Sequence, residues 1–478
     1  MNENLILLTD SYKVSHHVQY PPNTQKVYSY IESRGGKWDQ TVFFGLQYIL
    51  KKYFTGAVIE SWMIDEAAEV SAAHFGNATI FNRQGWEYIL SQYGGRLPLR
   101  IKAVPEGTVV DGKNVLVVIE NTDPNCFWLT NYMETLLMQL WYPVTVATQS
   151  HEMKKIIRHY AALTGGDMDV SFKLHDFGFR GSTSVESAGL GGAAHLTSFY
   201  GTDTMPALML LRRYYGADMA GFSIPAAEHS TITSWGKDSE ADAFRNMLFQ
   251  FPNALVAVVS DSFDIFNACE NLWGTQLRDA VESRNGTLVV RPDSGEPTEI
   301  VPQVLETLGR RFGYTVNDKG FKVLPSYIRV IQGDGINYES LGAILEAVYQ
   351  AGWCTDNIAF GSGGGLLQKV DRDTLKFACK ASQVVVAGVA REVYKDPVTD
   401  PGKTSKKGRL VLVRDDDNFI TVAEGTVDPD EDCLVVVFEN GELTAEYDLA
   451  GIRARIAANL EADVRLSAAA LNFKAKQK

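Results

Sequence analysis

Arg291, Asp293, Asp334 and a set of glycines stand where three apolar runs stop: LVVRPDSGEP (288–297), IRVIQGDG (328–335) and NIAFGSGGGLL (357–367). Backbone without Cβ, as in GSGGG at 361–365, lets several N–H groups converge on one phosphate. Arginine grips a phosphate or a carbonyl oxygen, and aspartate suits a ribose hydroxyl or a magnesium shell. The combination points to a phosphate-bearing substrate. Each piece also has a plain structural reading: a tight glycine turn, a turn with an aspartate at GDG, an Arg291–Asp293 ion pair at a strand end. Recurrence at successive strand ends favours chemistry.

More candidates share that position. Asp261 and Asp264 sit in VSDSFD (259–264), and several carboxylates at strand ends beside a phosphate suit Mg²⁺ held partly through the substrate. His229, in IPAAEHSTITSWGKD, has no Ser-His-Asp order or HExxH spacing around it. A lone histidine is usually structural; among these tips it becomes a candidate nucleophile toward phosphate. Phe177 in HDFGFRG (175–181) is by default a core residue, but turned into a barrel mouth it would stack on a planar ring. Arg372 lies near the glycine run. Arg34, Lys37, Lys380, Lys395 and KTSKKGR (403–409) are ordinary surface charges unless the fold gathers some of them into an anion site.

The elements that must position these groups repeat. From about 170 to 365 an apolar run, a polar tip and an amphipathic segment recur, with tips HDFGFRG, GTDT (201–204), PAAEHS (225–230), VSDSFD, RPDSGEP, QGDG and GSGGG. Phe244, Met247, Leu248 and Phe251 are spaced i, i+3, i+4, i+7; Val304, Leu305, Leu308 and Leu341, Ile344, Leu345, Val348 make similar faces. Seven such units predict a parallel α/β barrel, whose chemistry sits at the C-terminal strand ends. The flanks differ: the segments 41–54 and 126–141 read as helical, while the strands after 380 lack crossover helices, predict antiparallel pairing, and include an Asn440-Gly441 hairpin signal. A closing helix is expected at 448–471. The division is 1–145 and 383–478 as the two parts of an α+β domain, with the barrel at 146–382.

Among 478 residues, 45% are hydrophobic and 22% charged, which is ordinary globular composition. A net charge of −13 argues against nucleic acid or an anionic membrane as partner, so an anionic substrate needs a local basic cluster. Cysteines 126, 269, 354, 379 and 433 form no CxxC pair, which predicts neither disulfide framework nor zinc site and fits a reducing cytoplasm. MNENLILLTDSYK shows no signal-peptide pattern, and no run approaches a membrane span.

Taken in order, TDSYKVSHHVQYPP, GLQYIL, AVPEG, ENTDP, WYPVTVAT, KLHDFGFRG, GTDT, PAAEHSTIT, VVSDSFDI, RPDSG, RVIQGDG, AFGSGGGLLQK and KGRL closely resemble the nicotinamide phosphoribosyltransferase family, nearly without gaps from residue 5 onward. The resemblance implies the type II phosphoribosyltransferase fold and a homodimer with shared active sites. It implies transfer of a phosphoribosyl group from phosphoribosyl pyrophosphate to nicotinamide, giving nicotinamide mononucleotide and pyrophosphate. By position, Phe177 would stack on the pyridine and Tyr12 of the partner subunit would cover its other face. Asp203 would accept from the carboxamide NH₂, with Ser223 in the same substrate-binding set. Arg180 and Arg291 would approach phosphate and amide oxygen. Asp261 and Asp293 would meet ribose or magnesium, and Gly333, Asp334, Gly363 and Gly364 would line the 5-phosphate pocket. Arg34, Arg372, Lys380 and Lys395 would take the pyrophosphate. His229 would be phosphorylated by ATP, a co-substrate whose hydrolysis is coupled to synthesis.

Three departures from the family pattern stand out: a shorter segment after Arg34, Phe179 for a common tyrosine, and Ala378 where vertebrate members carry serine. Two rival readings are a nicotinate phosphoribosyltransferase and a non-catalytic nucleotide-binding regulator on the same scaffold. A carboxylate at Asp203 disfavours the first, because it would repel the nicotinate carboxylate.

Overall fold

The apolar runs that end in polar tips are parallel strands. A computed structural model describes residues 3–399, 404–415 and 418–462. In it Leu174–Asp176, Gly201–Thr202, Asn253–Val259, Asn285–Arg291, Ile328–Gln332 and Ile358–Ser362 form one sheet with every pairing parallel. The first and last strands of this group are neighbours, and the two outer strands, Gly201–Thr202 and Asn253–Val259, are joined through the stretch 222–227. Thr202 N donates to Phe222 O at 3.0 Å, Ala257 N to Pro225 O at 2.9 Å and Ala227 N to Ala257 O at 2.9 Å. The ring therefore closes with a short seventh member, and each predicted tip leaves the C-terminal end of its own member.

Side-chain alternation divides the strands between two environments. Ala257, Val289 and Ile331 cluster inside the ring with Ile224 and Ala359, and Phe177 packs on the same cluster. The alternate residues Val256, Val258, Val290 and Val330 are fully buried under the helices. Those helices follow the predicted faces: Leu341, Ile344, Leu345 and Val348 on Tyr338–Gln350, and Val304, Leu305 and Leu308 on Pro297–Phe312, are wholly buried. The first of these starts at a reciprocal cap in which Asn337 and Ser340 each bond the other's backbone N–H. One face is shorter than expected. Phe251 lies past the end of Glu240–Gln250 and is exposed, and of the four expected residues Phe244 and Leu248 are the buried ones.

The second compact unit is built from an N-terminal and a late segment of the chain, residues 3–148 and 371–456, with 214–216. Its seven-stranded antiparallel sheet runs Val389–Glu392, Phe377–Val386, Thr24–Ser33, Val115–Asn121, Leu99–Ala103, Val435–Glu439, Glu442–Leu443. Asn440 and Gly441 both take positive φ, 50° and 87°, as a two-residue hairpin turn requires. The boundary expected at 382 falls inside Phe377–Val386, which pairs with Thr24–Ser33, so the strand belongs to this sheet. Two segments read as helices are broken. Residues 41–54 begin in the strand Gln40–Val42 before Leu46–Ile49 and Leu50–Phe54 coil, and 126–141 is a series of short turns ahead of the helix Trp141–Thr164. The closing helix is Leu449–Ala462; the rest of its expected span, with Lys403, lies outside the described residues. Among the described residues no helix is long and apolar enough to cross a membrane.

Candidate active site

At the barrel mouth the chain turns sharply after Leu174–Asp176 because Asp176, fully buried, accepts from Gly178 N at 2.7 Å and Thr202 Oγ1 at 3.1 Å. Burial pushes its carboxyl pKa up. The turn stands Phe177 on the apolar filling of the ring, with its own N–H held by Ser362 O at 2.9 Å. Glycine makes room for the ring: a Cβ on Gly361 would lie 1.9 Å from Phe177 Cε2, and one on Gly333 3.3 Å from it. The Arg291 guanidinium sits 5.4 Å from the ring centroid, within cation–π reach.

Asp203 stands beside this platform. His175 Nε2 lies 2.9 Å and Ser223 Oγ 2.5 Å from the same oxygen, Asp203 Oδ1. Burial opposes ionisation, but the bonds from His175 and Ser223 and the charge of Arg291 outweigh it and hold the carboxyl below its ordinary value. His175 was not singled out from the sequence, although it lies in the HDFGFRG tip. It is wedged between Phe177, ring centroids 5.2 Å apart, and Gly201, where a Cβ would meet His175 Nδ1 at 2.5 Å.

The remaining barrel candidates form a second group. His229 opens the short helix His229–Thr233, with Nε2 3.0 Å from Asp261 Oδ1 and Nδ1 4.0 Å from Asp293 Oδ2. Asp293 Oδ1 also takes Arg291 Nη2 at 2.7 Å, so the ion pair expected as the plain alternative exists inside the group. Asp264 does something else: it caps the helical turn Ile265–Asn267, accepting from Phe266 N and Asn267 N. Glu240 is buried near Asp264 and Asp261, and burial, then those two charges, push it up to about 7. In GSGGG, Gly361 and Gly365 are packing positions, the latter close to Ile336 O. Gly363 and Gly364 face open space, with nothing nearer than 3.7 Å to a Cβ. Arg180 and Asp334 are exposed.

The basic candidates gather in the other unit. A cavity of about 1040 Å³ is lined by Tyr12, Arg34, Arg372, Lys380 and Lys395, with Lys113 and Lys376 added to those foreseen. The two added lysines hold φ of 68° and 50°, a left-handed conformation that non-glycine residues keep only when their surroundings impose it. Asp10, Glu134 and Asp373 also line it, as does Ala378. Lys37 is not among its lining residues. Six cations against three carboxylates suit a polyanion, in a chain whose net charge is −13.

The described residues hold no group of three or more His, Cys, Asp or Glu arranged for a metal ion. Asp261 engages His229 through Oδ1, and Asp293 engages Arg291 through Oδ1 with its Oδ2 4.0 Å from His229 Nδ1. That donor set fits a Mg²⁺ that arrives chelated by a phosphorylated substrate and keeps several waters.

Residues 172–441 match the nicotinate phosphoribosyltransferase (NAPRTase) family, and residues 4–101 match the nicotinamide phosphoribosyltransferase N-terminal domain. A nicotinamide phosphoribosyltransferase from Xanthomonas campestris pv. campestris is 54% identical over 463 residues, 95% of this chain and 98% of that protein. One from Acinetobacter baylyi is 33% identical over 489 residues, 95% and 97% of the two chains. A solved nicotinate-nucleotide pyrophosphorylase from Pyrococcus furiosus shares the fold at 16% identity, TM-score 0.61, covering 96% of this chain and 97% of that one. The chain belongs to the nicotinate phosphoribosyltransferase family and, within it, to the nicotinamide phosphoribosyltransferases.

Proposed function

We propose that the protein transfers the phosphoribosyl group of phosphoribosyl pyrophosphate to nicotinamide, releasing nicotinamide mononucleotide and pyrophosphate. The observation that carries this reading is Asp203, an ionised acceptor beside the Phe177 ring and Arg291. With His175 and Ser223 both on Oδ1, Oδ2 is left to accept from a carboxamide NH₂. The pyridine nitrogen carries no proton, so its attack on the anomeric carbon needs no general base. Catalysis then rests on orienting the ring, favouring an oxocarbenium-like ribose and neutralising the departing pyrophosphate. Asp293 is suited to the ribose side, Gly333, Asp334, Gly363 and Gly364 to the 5-phosphate, with Arg180 at its exposed edge. Mg²⁺, when bound through Asp261 and Asp293, supplies charge neutralisation for the leaving group. Arg34, Arg372, Lys380 and Lys395 are suited to pyrophosphate. A homodimer with shared active sites, in which Tyr12 of the partner subunit covers the second pyridine face, and a cytoplasmic location complete the proposal.

His229 is the proposed phosphoryl acceptor from ATP. Asp261 fixes the proton on Nε2, which leaves the Nδ1 lone pair as the nucleophile, with Asp293 near enough to steady the charged ring. Two assays test the whole reading. Purified protein with Mg²⁺, phosphoribosyl pyrophosphate and nicotinamide should form nicotinamide mononucleotide and pyrophosphate; absence of both products overturns the transferase reading. Incubation with γ-labelled ATP should leave acid-labile label on the protein and none on His229→Ala. Label that persists in the variant removes His229 from the role.

A further inference from the structure

Six cations around one cavity repel one another, and their long side chains have many other places to point, so a binding-competent arrangement has to be held before the ligand arrives. Glu32 is built to hold it. It lies on Thr24–Ser33 and is 2% exposed. Pairing with Val115–Asn121 slips between Ile31 and Glu32, a bulge of the kind that re-aims the side chain next to it. Across the other edge Glu32 faces Ala378, a pocket-lining position with no group to compete for its oxygens.

The two carboxylate oxygens take two different cations. Oε1 accepts from Arg34 Nε at 2.9 Å, and Oε2 accepts from Lys406 Nζ. Each partner reaches further lining residues. Arg34 N donates to Lys376 O at 3.3 Å, and Lys406 Nζ donates to Lys113 O at 2.6 Å. These are the two lysines held at positive φ. The segment that carries Lys406 is pinned to Lys395 through Lys395 N on Ser405 Oγ at 2.8 Å and Ser405 N on Lys395 O at 2.9 Å. It is pinned again through Lys406 N on Tyr30 OH at 2.8 Å. Glu32 is thus one or two contacts from Arg34, Lys113, Lys376 and Lys395, and lines no part of the cavity itself.

We infer that Glu32 is a positioning residue for the anion pocket: it aims Arg34 directly and, through Lys406, fixes the backbone that presents Lys113 and Lys395. This rests on the reading of that pocket as the pyrophosphate cradle. Glu32→Gln keeps the shape and one hydrogen bond but loses the charge that holds two cations. Steady-state kinetics on this variant should show KM for phosphoribosyl pyrophosphate raised about tenfold, the scale of one charge-assisted hydrogen bond, with kcat and KM for nicotinamide changed less than about twofold. An unchanged phosphoribosyl pyrophosphate KM, or equal rises in both KM values, overturns the inference. Should Glu32→Gln not fold, Lys406→Met, whose side chain is 25% exposed, carries the test. It should raise the same KM severalfold, and no rise overturns the inference. Arg34→Met distinguishes loss of the pyrophosphate pocket from loss of the positioning role. If it leaves that KM unchanged, the pyrophosphate reading itself is wrong. If it raises KM while Glu32→Gln is silent, only the positioning role is lost.

Discussion

Phe177→Ala is expected to lower kcat/KM for nicotinamide by roughly 30- to 700-fold, the equivalent of about 2–4 kcal/mol for losing apolar contact and ring stacking together. The ring sits on the apolar filling of the barrel, so it is rigid before substrate binds and little ordering is lost on stacking. Arg291 lies over the same ring and also holds Asp293, so removing the platform loosens the Arg291–Asp293 pair as well. Gly361→Ala should act in the same direction without touching the aromatic, because its Cβ would occupy the ring's place at 1.9 Å from Cε2. Initial rates at varied nicotinamide, with a thermal melt to confirm that each variant is folded, check both. A Phe177→Ala enzyme within threefold of the parent would mean that the ring is only a plug.

Asp203→Asn should shift the ratio of kcat/KM for nicotinamide over nicotinate by roughly 10- to 100-fold toward nicotinate, the effect of a charge-assisted hydrogen bond. The asparagine can donate to a carboxylate, and it no longer repels one. Asp203 is about half exposed, 48% by side chain, so solvent screens the repulsion and keeps the expected shift at this modest level. The pH dependence follows from the direction of its pKa. Because the folded carboxyl is held below its ordinary value, its charge is present at all higher pH and is lost only as pH falls through that lowered value. Amide preference in the parent should therefore stay level from about pH 8 down to about pH 5. A preference that collapses on mild acidification would mean that another group sets it.

The barrel was legible in the sequence because its signal is local: an apolar run and a polar end recur, and each tip names its own strand. Even the short member at 222–227 was marked by PAAEHS, though only backbone bonds to Thr202 and Ala257 make it part of the ring. Roles that depend on what folds over a residue were not legible. Six glycines in GSGGG and QGDG look alike, yet Gly361 makes room for Phe177 while Gly363 and Gly364 face open space. His175 meets Asp203 across 28 positions, and Glu32 meets Lys406 across 374, so no spacing rule could pair them. The expected boundary at 382 cuts Phe377–Val386 in two, because the partner that claims the whole strand, Thr24–Ser33, is far away in sequence. The helical pattern of 126–141 yields to short turns.

In the proposed function an ionised Asp203 beside Phe177 selects the amide over the acid. Competition between nicotinamide and nicotinate at equal concentration, with saturating Mg²⁺ and phosphoribosyl pyrophosphate, tests it most directly when both mononucleotides are quantified from one reaction. The structure predicts nicotinamide mononucleotide in large excess, with the excess sharply reduced in Asp203→Asn. Nicotinate mononucleotide as the main product of the parent enzyme would contradict it.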